Sequence, residues 1–470
     1  MTGVHPPPPA TWLARLGLDR PELRGWAMYD WANSAMVAIV VTAVFPIYFS
    51  GVAGGDLDPA VATFRFGVAT TIGLGFVAIV APFLGAIADH APVKKRMLAA
   101  SLAIGATACA LMFLIQRGDW LLAAVLFVVA NIGANASYVF YDSLLPHVAR
   151  RDEIDRVSTA GYALGYLGGG LILGVALAMI QRPEWFGLPA GDNLTQAEAT
   201  LPARLAFVAV AIWWVAFSLP LFLKVREPAI APRRPDDAGR GVIAIASSRI
   251  GRTFRELRGY RQAFLMLLAF LIYNDGIGTI VRMAGIYGAE LGIGRGALIG
   301  SILLVQFVGI PFAFLFGMIA GRIGAKRSIF IGLVAYCSIS MIGYFMQTAL
   351  HFLLLAILVG MVQGGTQALS RSLFASMIPQ HKSGEFFGFF AVFEKFAGIL
   401  GPAVFAGTIA LTGSSRNAIL SVVAFFIVGG ILLHFVDVDE GQRAARAAEE
   451  RALNPLGAGA IGNGFPFSRE

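Results

Sequence analysis

Twelve apolar runs, each long enough to cross a bilayer as a helix, constrain this chain more than any other feature. They fall at about 25–50, 63–88, 97–116, 120–145, 157–181 and 203–224, then at about 262–289, 296–320, 328–347, 350–378, 385–411 and 416–436. A helix needs about 20 apolar residues to cross the hydrocarbon layer, and these runs supply them. Charged residues make up only 14% of the chain, where a soluble domain carries about 25%. The expected fold class is an all-α membrane protein of twelve transmembrane helices.

Basic residues set the orientation. Of 36 Lys and Arg residues, 27 lie in the amino-terminal lead-in, the loops after even-numbered segments and the carboxyl tail; 6 lie on the opposite side and 3 inside spans. Positive loops stay cytoplasmic, so both termini are expected in the cytoplasm, on a bacterial cytoplasmic membrane. The same rule accounts for the net charge of +8 without a nucleic-acid partner. Residues 1–24 read as a cytoplasmic tail, since Pro6 to Pro9 leave no apolar core for a signal peptide. Two six-helix halves follow, 25–225 and 259–437, joined by a basic linker at 226–258. Within it, 242–258 mixes aliphatic and Arg positions at helical spacing. That pattern fits either an amphipathic helix on the anionic inner leaflet or a solvated linker helix. The tail 438–470 is charged, then rich in Gly, Ala and Pro, and reads as disordered.

The halves share a register. Gly85, the turn after it and the pair Lys94–Lys95 recur 232 residues later at Gly317 and Lys326–Arg327. The same offset carries Asn131 to Gln363, Asn135 to Gln367, Tyr138 to Ser370 and Gly169 to Gly401. A parallel repeat of six-helix units, related by a pseudo-two-fold along the membrane normal, is the major facilitator build, with its substrate site between the halves.

Charge inside a bilayer is costly and marks candidate sites. The fourth segment carries Asn131, Asn135, Tyr138 and Asp142 on one helical face, and the tenth answers with Gln363, Gln367 and Ser370 beside Arg371. Matching polar stripes point to a shared cavity; interhelical hydrogen bonding is the alternative. Asp142 lies near the cytoplasmic end, as a gate or a solvated cap. On the seventh segment Asp275, Thr279 and Arg282 share a face, and Gly276 and Gly278 should loosen the helix. Asp275 either pairs with Arg371 or Lys395, or carries a proton. Asp30 and Asn33 form a polar face on the first segment, where Asp30 binds substrate, gates, or reaches headgroup water. Glu394 and Lys395 are sequence neighbours and should point about 100° apart. On the fifth segment, Gly161, Gly165 and Gly169 form a close-packing face.

The loop Gly85-Ala-Ile-Ala-Asp89-His90-Ala-Pro92-Val-Lys94-Lys95 resembles the signature G-x-x-x-D-[R/K]-x-G-[R/K]-[R/K] of the major facilitator superfamily. The resemblance implies that Gly85, Asp89, Lys94 and Lys95 form a conformational latch to the other half. His90 and Pro92 depart from the pattern, and Gly321 replaces the acid in the second copy, so the latch should work from the amino half alone. A closer likeness spans Trp26-Ala-Met-Tyr29-Asp30-Trp31-Ala-Asn33-Ser34, Gly161-Tyr162-Ala-Leu-Gly165-Tyr166, Tyr273-Asn274-Asp275-Gly276 and Gln363-Gly-Gly-Thr-Gln367. It is similar to the vacuole-effluxer-like branch of that superfamily. The likeness implies a secondary transporter of amino acids or related small polar solutes; a proton-carrying Asp275 would couple it to protons, and a monomer is expected. Sugars or drugs are alternative cargoes, and a sensor or lipid scramblase on the same scaffold is the alternative class. No G-x-x-x-x-G-K-[ST] loop is present for a nucleotide-driven pump. The six histidines are scattered, and Cys109 and Cys337 stand alone, so no enzyme, metal or cofactor is expected.

Overall fold

A computed structural model describes residues 11–90, 92–228, 255–398 and 400–453. It contains twelve spans: α1 (Pro21–Ala53), α2 (Val61–Asp89), α3 (Lys94–Leu114), α4 (Trp120–Val148), α5 (Ile154–Gln181), α6 (Gln196–Lys224), α7 (Arg261–Ala284), α8 (Gly296–Ile323), α9 (Ala325–Tyr344), α10 (Ala349–Ser376), α11 (Gln380–Thr412) and α12 (Ser415–His434). An integral membrane protein with six helices, a connection and six more is therefore what the apolar runs encode. α6 begins seven residues before its apolar run because Thr195 and Glu198 form a capping box there.

Three elements depart from expectation. α7 runs unbroken through Gly276 and Gly278. Gly276 is there because a Cβ would lie 2.8 Å from the Phe426 ring, so it serves packing rather than unwinding. The interruption falls in α11 instead, whose first helix ends at Phe396 and whose second starts at Leu400. The tail is ordered at its start: Val438–Leu453 forms a charged helix, α13, lying under the bundle with Ala445 fully buried. Glu449 of α13 pairs with Arg151 at 2.7 Å and accepts from the Gln380 amide at 2.9 Å. These bonds outweigh the low apolar content that argued for disorder. Residues 454–470 and most of the linker helix expected at 242–258 lie outside the described residues; 255–259 are helical.

Within each half one lysine ties the third helix to the end of the sixth. Lys95 Nζ donates to the Phe222 and Val225 carbonyls at 2.9 and 2.6 Å. In the second half Lys326 Nζ does the same for His434 and Val436, at 2.8 and 2.7 Å. Both satisfy carbonyls that a helix end leaves without intrahelical donors.

Between the halves, small residues let backbones meet. α2 crosses α11 where a Cβ at Gly85 would collide with the Gly384 carbonyl, and one at Gly388 would lie 2.7 Å from the Ala81 carbonyl. On the other seam, α5 meets α8 at Thr159 and Gly317. Here the Tyr166 ring of α5 sits between Gly309 of α8, where a Cβ would lie 2.9 Å from it, and Gly364 of α10.

Candidate functional site

Arg371 of α10 is the electrostatic meeting point of the halves. Its Nη1 reaches Asp142 Oδ1 of α4 at 3.0 Å, and its Nη2 reaches Asp30 Oδ2 of α1 at 3.3 Å. Nε donates to Ser158 Oγ and Nη2 to the Ser158 carbonyl, both at 3.0 Å. The Trp26 and Tyr162 rings lie 4.9 and 4.7 Å from the guanidinium carbon. Tyr141 donates its hydroxyl to Asp30 Oδ2 at 2.8 Å. A planar fork of donors suits this many partners in a way a lysine does not. Side-chain exposure is 3% for Arg371 and 7% for Asp30, so water supplies little of the solvation; the ring faces and hydroxyls replace it. Two carboxylates thus share one guanidinium.

Local sequence explains how this triad is built. Trp26 and Asp30 are four residues apart and share a face of α1. Trp26 stacks on Tyr141 at 4.4 Å and donates to its carbonyl at 3.1 Å, which fixes α1 against α4 one residue from Asp142. The glycine face of α5 then closes in. A Cβ at Gly161 would lie 2.5 Å from Asp30 Oδ2 and 3.2 Å from Arg371 Nη2, and one at Gly165 2.8 Å from Ser34 Oγ. Those glycines pack, as expected, and Gly161 also leaves the room the triad occupies.

On the side of the triad that faces the termini, further bonds shut the seam. Asp89 accepts from the Gly384 and Glu385 amides at 2.9 and 2.7 Å, capping the N-terminus of the α11 helix where backbone donors lack partners. Lys94 pairs with Asp89 at 2.8 Å and donates to Ser383 Oγ at 2.8 Å. Ser383 donates to the Ser143 carbonyl at 2.9 Å, and Gln380 to that of Pro146 at 2.8 Å. Gly85, Asp89 and Lys94 thus lie in one cross-half contact, based in the amino half. Lys95 does not, because its ammonium is taken by the carbonyls of α6.

On the other side of the triad lies a cavity of about 660 Å³ between the halves. It extends to the level of Met346, Phe352 and Val422, at the far ends of α9, α10 and α12. Asp30, Asn131, Asn135, Tyr138, Asp142, Arg282, Gln363, Gln367, Arg371, Glu394 and Lys395 all belong to its wall. The two symmetry-related polar stripes therefore do face one space. They also bond along their own walls: Asn135 to Asn131, and Gln367 to Asn274 at 3.3 Å.

Several sequence expectations fail here, each for a physical reason. Asn33 is fully buried and donates to Ser137 Oγ at 3.3 Å, away from the cavity. Asp142 is no solvated cap and Asp30 does not reach headgroup water; both are committed to Arg371. Asp275 lies behind the wall and pairs with neither Arg371 nor Lys395. Its Oδ2 accepts the Gly401 amide at 2.9 Å, at the start of the second helix of α11. Lys395 reaches Glu394 at 3.3 Å, because long side chains bend across the 100° that separates their Cα–Cβ bonds. Reasoning from residue types missed Tyr141, Ser158, Tyr162 and Tyr166. The motif repeating Gly161-Tyr162 and Gly165-Tyr166 was the available signal for two of them.

Comparison with known proteins fits this arrangement. Residues 59–446 match the family described as "Vacuole effluxer Atg22 like". The chain belongs to that family. This effluxer-family member is 35% identical over 412 residues to the "Uncharacterized MFS-type transporter YxiO" of Bacillus subtilis (strain 168), covering 87% of the present chain and 94% of the relative. With "Autophagy-related protein 22" of Coccidioides immitis (strain RS) it shares 25% identity, over 81% of the chain and 74% of that protein. Among solved structures it resembles the proton:xylose symporter XylE (TM-score 0.67, 12% identity, 93% of this chain and 99% of that one). The major facilitator superfamily transporter FucP, in the outward conformation, gives a TM-score of 0.61 at 13% identity, over 88% and 98% of the two chains. At such identities these two establish the major facilitator fold alone for the family member.

Proposed function

We propose that the chain is a secondary active transporter that moves small polar solutes, amino acids or related metabolites first among them, by alternating access coupled to protons. One observation carries the reading: a cavity walled by both halves, with charges of both signs, stopped at one end by bonds that run between the halves. A passage shut at one end by separable contacts needs only a relative rotation of the halves to be opened there and shut at the other. The side of the termini is assigned to the cytoplasm, in a bacterial cytoplasmic membrane, and the chain works as a monomer. The basic segment 242–258 is assigned to the anionic lipid of that leaflet. For the coupling proton the candidate is Asp275, which has no ion-pair partner among the described residues and whose buried Oδ1 lacks a hydrogen-bond donor there.

Proteoliposomes test this. Labelled amino acids should exchange in counterflow and accumulate when a pH gradient is imposed. No flux of any small solute would sink the transporter reading in favour of a sensor or scramblase. Flux indifferent to the gradient, and unchanged in Asp275→Asn, would remove coupling at that residue.

A further inference from the structure

The seam that shuts the cavity on the side of the termini contains a titratable group with no part in the reading above. His147 stands in the last turn of α4, half-buried. Its Nε2 lies 3.1 Å from Ser383 Oγ and 3.4 Å from Lys94 Nζ. Lys94 already serves Asp89 and Ser383, each at 2.8 Å. Imidazole, ammonium and carboxylate therefore meet where the amino half touches the first helix of α11.

Charge decides what this point tolerates. While the imidazole is neutral, Asp89 offsets Lys94, and their side chains are 2% and 5% exposed. A protonated His147 would set a second cation 3.4 Å from the first, where little water screens the two. It would also face the N-terminus of the α11 helix Ser383–Phe396, whose free amides carry partial positive charge. The other charged groups around the ring come from several elements. On α11, His381 acts on it directly and can only add positive charge; Lys382 is paired with Glu256, and Glu385 is buried in the first turn. Arg151, after α4, is held by Glu449 of α13.

Parting the halves reverses these conditions. Ser383 and the α11 helix end leave with the carboxyl half, and Lys94 is free to turn into water. His147 stays at the C-terminus of α4, where a positive charge is favoured. An imidazole in water titrates near pH 6.5 or so, roughly the value of an unperturbed histidine. Below that pH the parted seam binds one more proton than the shut seam, so by linkage acid on this side draws the seam open.

We propose that His147 is a proton-operated catch on the gate beside the termini, engaged while its imidazole is neutral and released when protonated. The proposal rests on the alternating-access reading above and adds its regulation: acid in the compartment that holds the termini biases the molecule to face that compartment. The proton enters and leaves on one side, so this device is separate from any proton carried with the solute.

The test needs no substrate. Ser143 lies one turn before His147 on the same face of α4 and is fully buried. In a chain carrying Cys109→Ala and Cys337→Ala, Ser143→Cys is labelled by an impermeant maleimide from the side of the termini. Each rate is divided by that of the same chain unfolded, which cancels the pH dependence of the thiol itself. Lowering the pH on that side from about 7.5 to about 5.5 should raise the ratio about 10-fold, as expected for one imidazole that takes a proton only in the parted seam. His147→Gln should lose this response, His381→Gln should keep it, and His147→Lys should be labelled fast at both pH values, with melting temperatures confirming that all three fold. An acid response that survives in His147→Gln would overturn the proposal. So would a response to acid on the opposite side alone, or a His147→Lys chain labelled no faster than the parent at the higher pH. Labelling that is absent under every condition means that the seam never parts; that outcome refutes the transporter reading as well, and is distinguishable from labelling indifferent to pH.

Discussion

The two halves share a scaffold but not a charge pattern, and the contrast divides what holds a half together from what holds the halves to each other. Inside each half the repeat is kept: Lys95 and Lys326 fasten equivalent helix ends through backbone carbonyls. Across the interface it is broken. The amino half supplies Asp30, Asp89 and Asp142; the carboxyl half supplies Arg371 and the Gly384 and Glu385 amides. At the positions 232 residues on from Asp89 and Asp142 stand Gly321 and Phe374, so neither bond has a mirror image. A symmetric charge pattern would set acid against acid. Asymmetry lets Asp30, Asp89 and Asp142 each find a donor in the other half.

The largest way to break this comparison is to remove its one shared cation. Arg371→Gln leaves Asp30 and Asp142 buried without their partner, and a broken buried pair costs about 3–5 kcal/mol. Counterflow should vanish and the melting temperature should fall, while Arg371→Lys recovers charge without the fork and stays well below wild type. Normal flux and stability in Arg371→Gln would show that the halves do not depend on the triad.

Removing the latch should have a smaller effect. Asp89→Asn keeps one acceptor for the amides of α11 but loses the charge facing Lys94, a change worth roughly 1.5–3 kcal/mol for hydrogen bonds to a charged group. The expected readout is faster labelling of Ser383→Cys by an impermeant maleimide applied from the side of the termini. Unchanged labelling would mean that the seam is held elsewhere.

The smallest effect sharpens the comparison from the reverse direction. Arg151 and Glu449 form an ion pair whose base belongs to the amino half, and its side chains are 29% and 22% exposed. Such partly solvated pairs contribute about 0.2–1 kcal/mol, so Arg151→Ala should shift the same labelling rate by no more than a few-fold. A shift as large as that of Asp89→Asn would make α13 an equal partner in closing the seam.

Much of this was written in the sequence in a form that spacing can read. Residues four apart share a helix face, so the stripe from Asn131 to Asp142 and its mate at Gln363 and Gln367 pointed to one cavity before any contact was known. Spacing gives faces but not partners. Nothing along the chain says that Arg371 would meet α1 and α4 rather than Asp275, because that depends on how helices distant in sequence are rotated against one another. The partner of Asp275 is a backbone amide freed by the interruption of α11, and an amide has no side-chain signature. The order in α13 was hidden for a related reason: beyond buried Gly441 and Ala445, its anchors are single polar bonds, from Glu449 to Arg151 and the Gln380 amide and from Glu440 to Gln262 Nε2 at 2.6 Å.

The Tyr166 ring between Gly309 and Gly364 has a mechanical consequence. Bonds such as those of Asp89 are directional and weaken steeply when donor and acceptor misalign, whereas dispersion between a flat ring and bare backbone barely depends on heading. Under the alternating-access proposal this contact would serve as a bearing: the part of the joint that stays engaged while the Asp89 clasp comes undone.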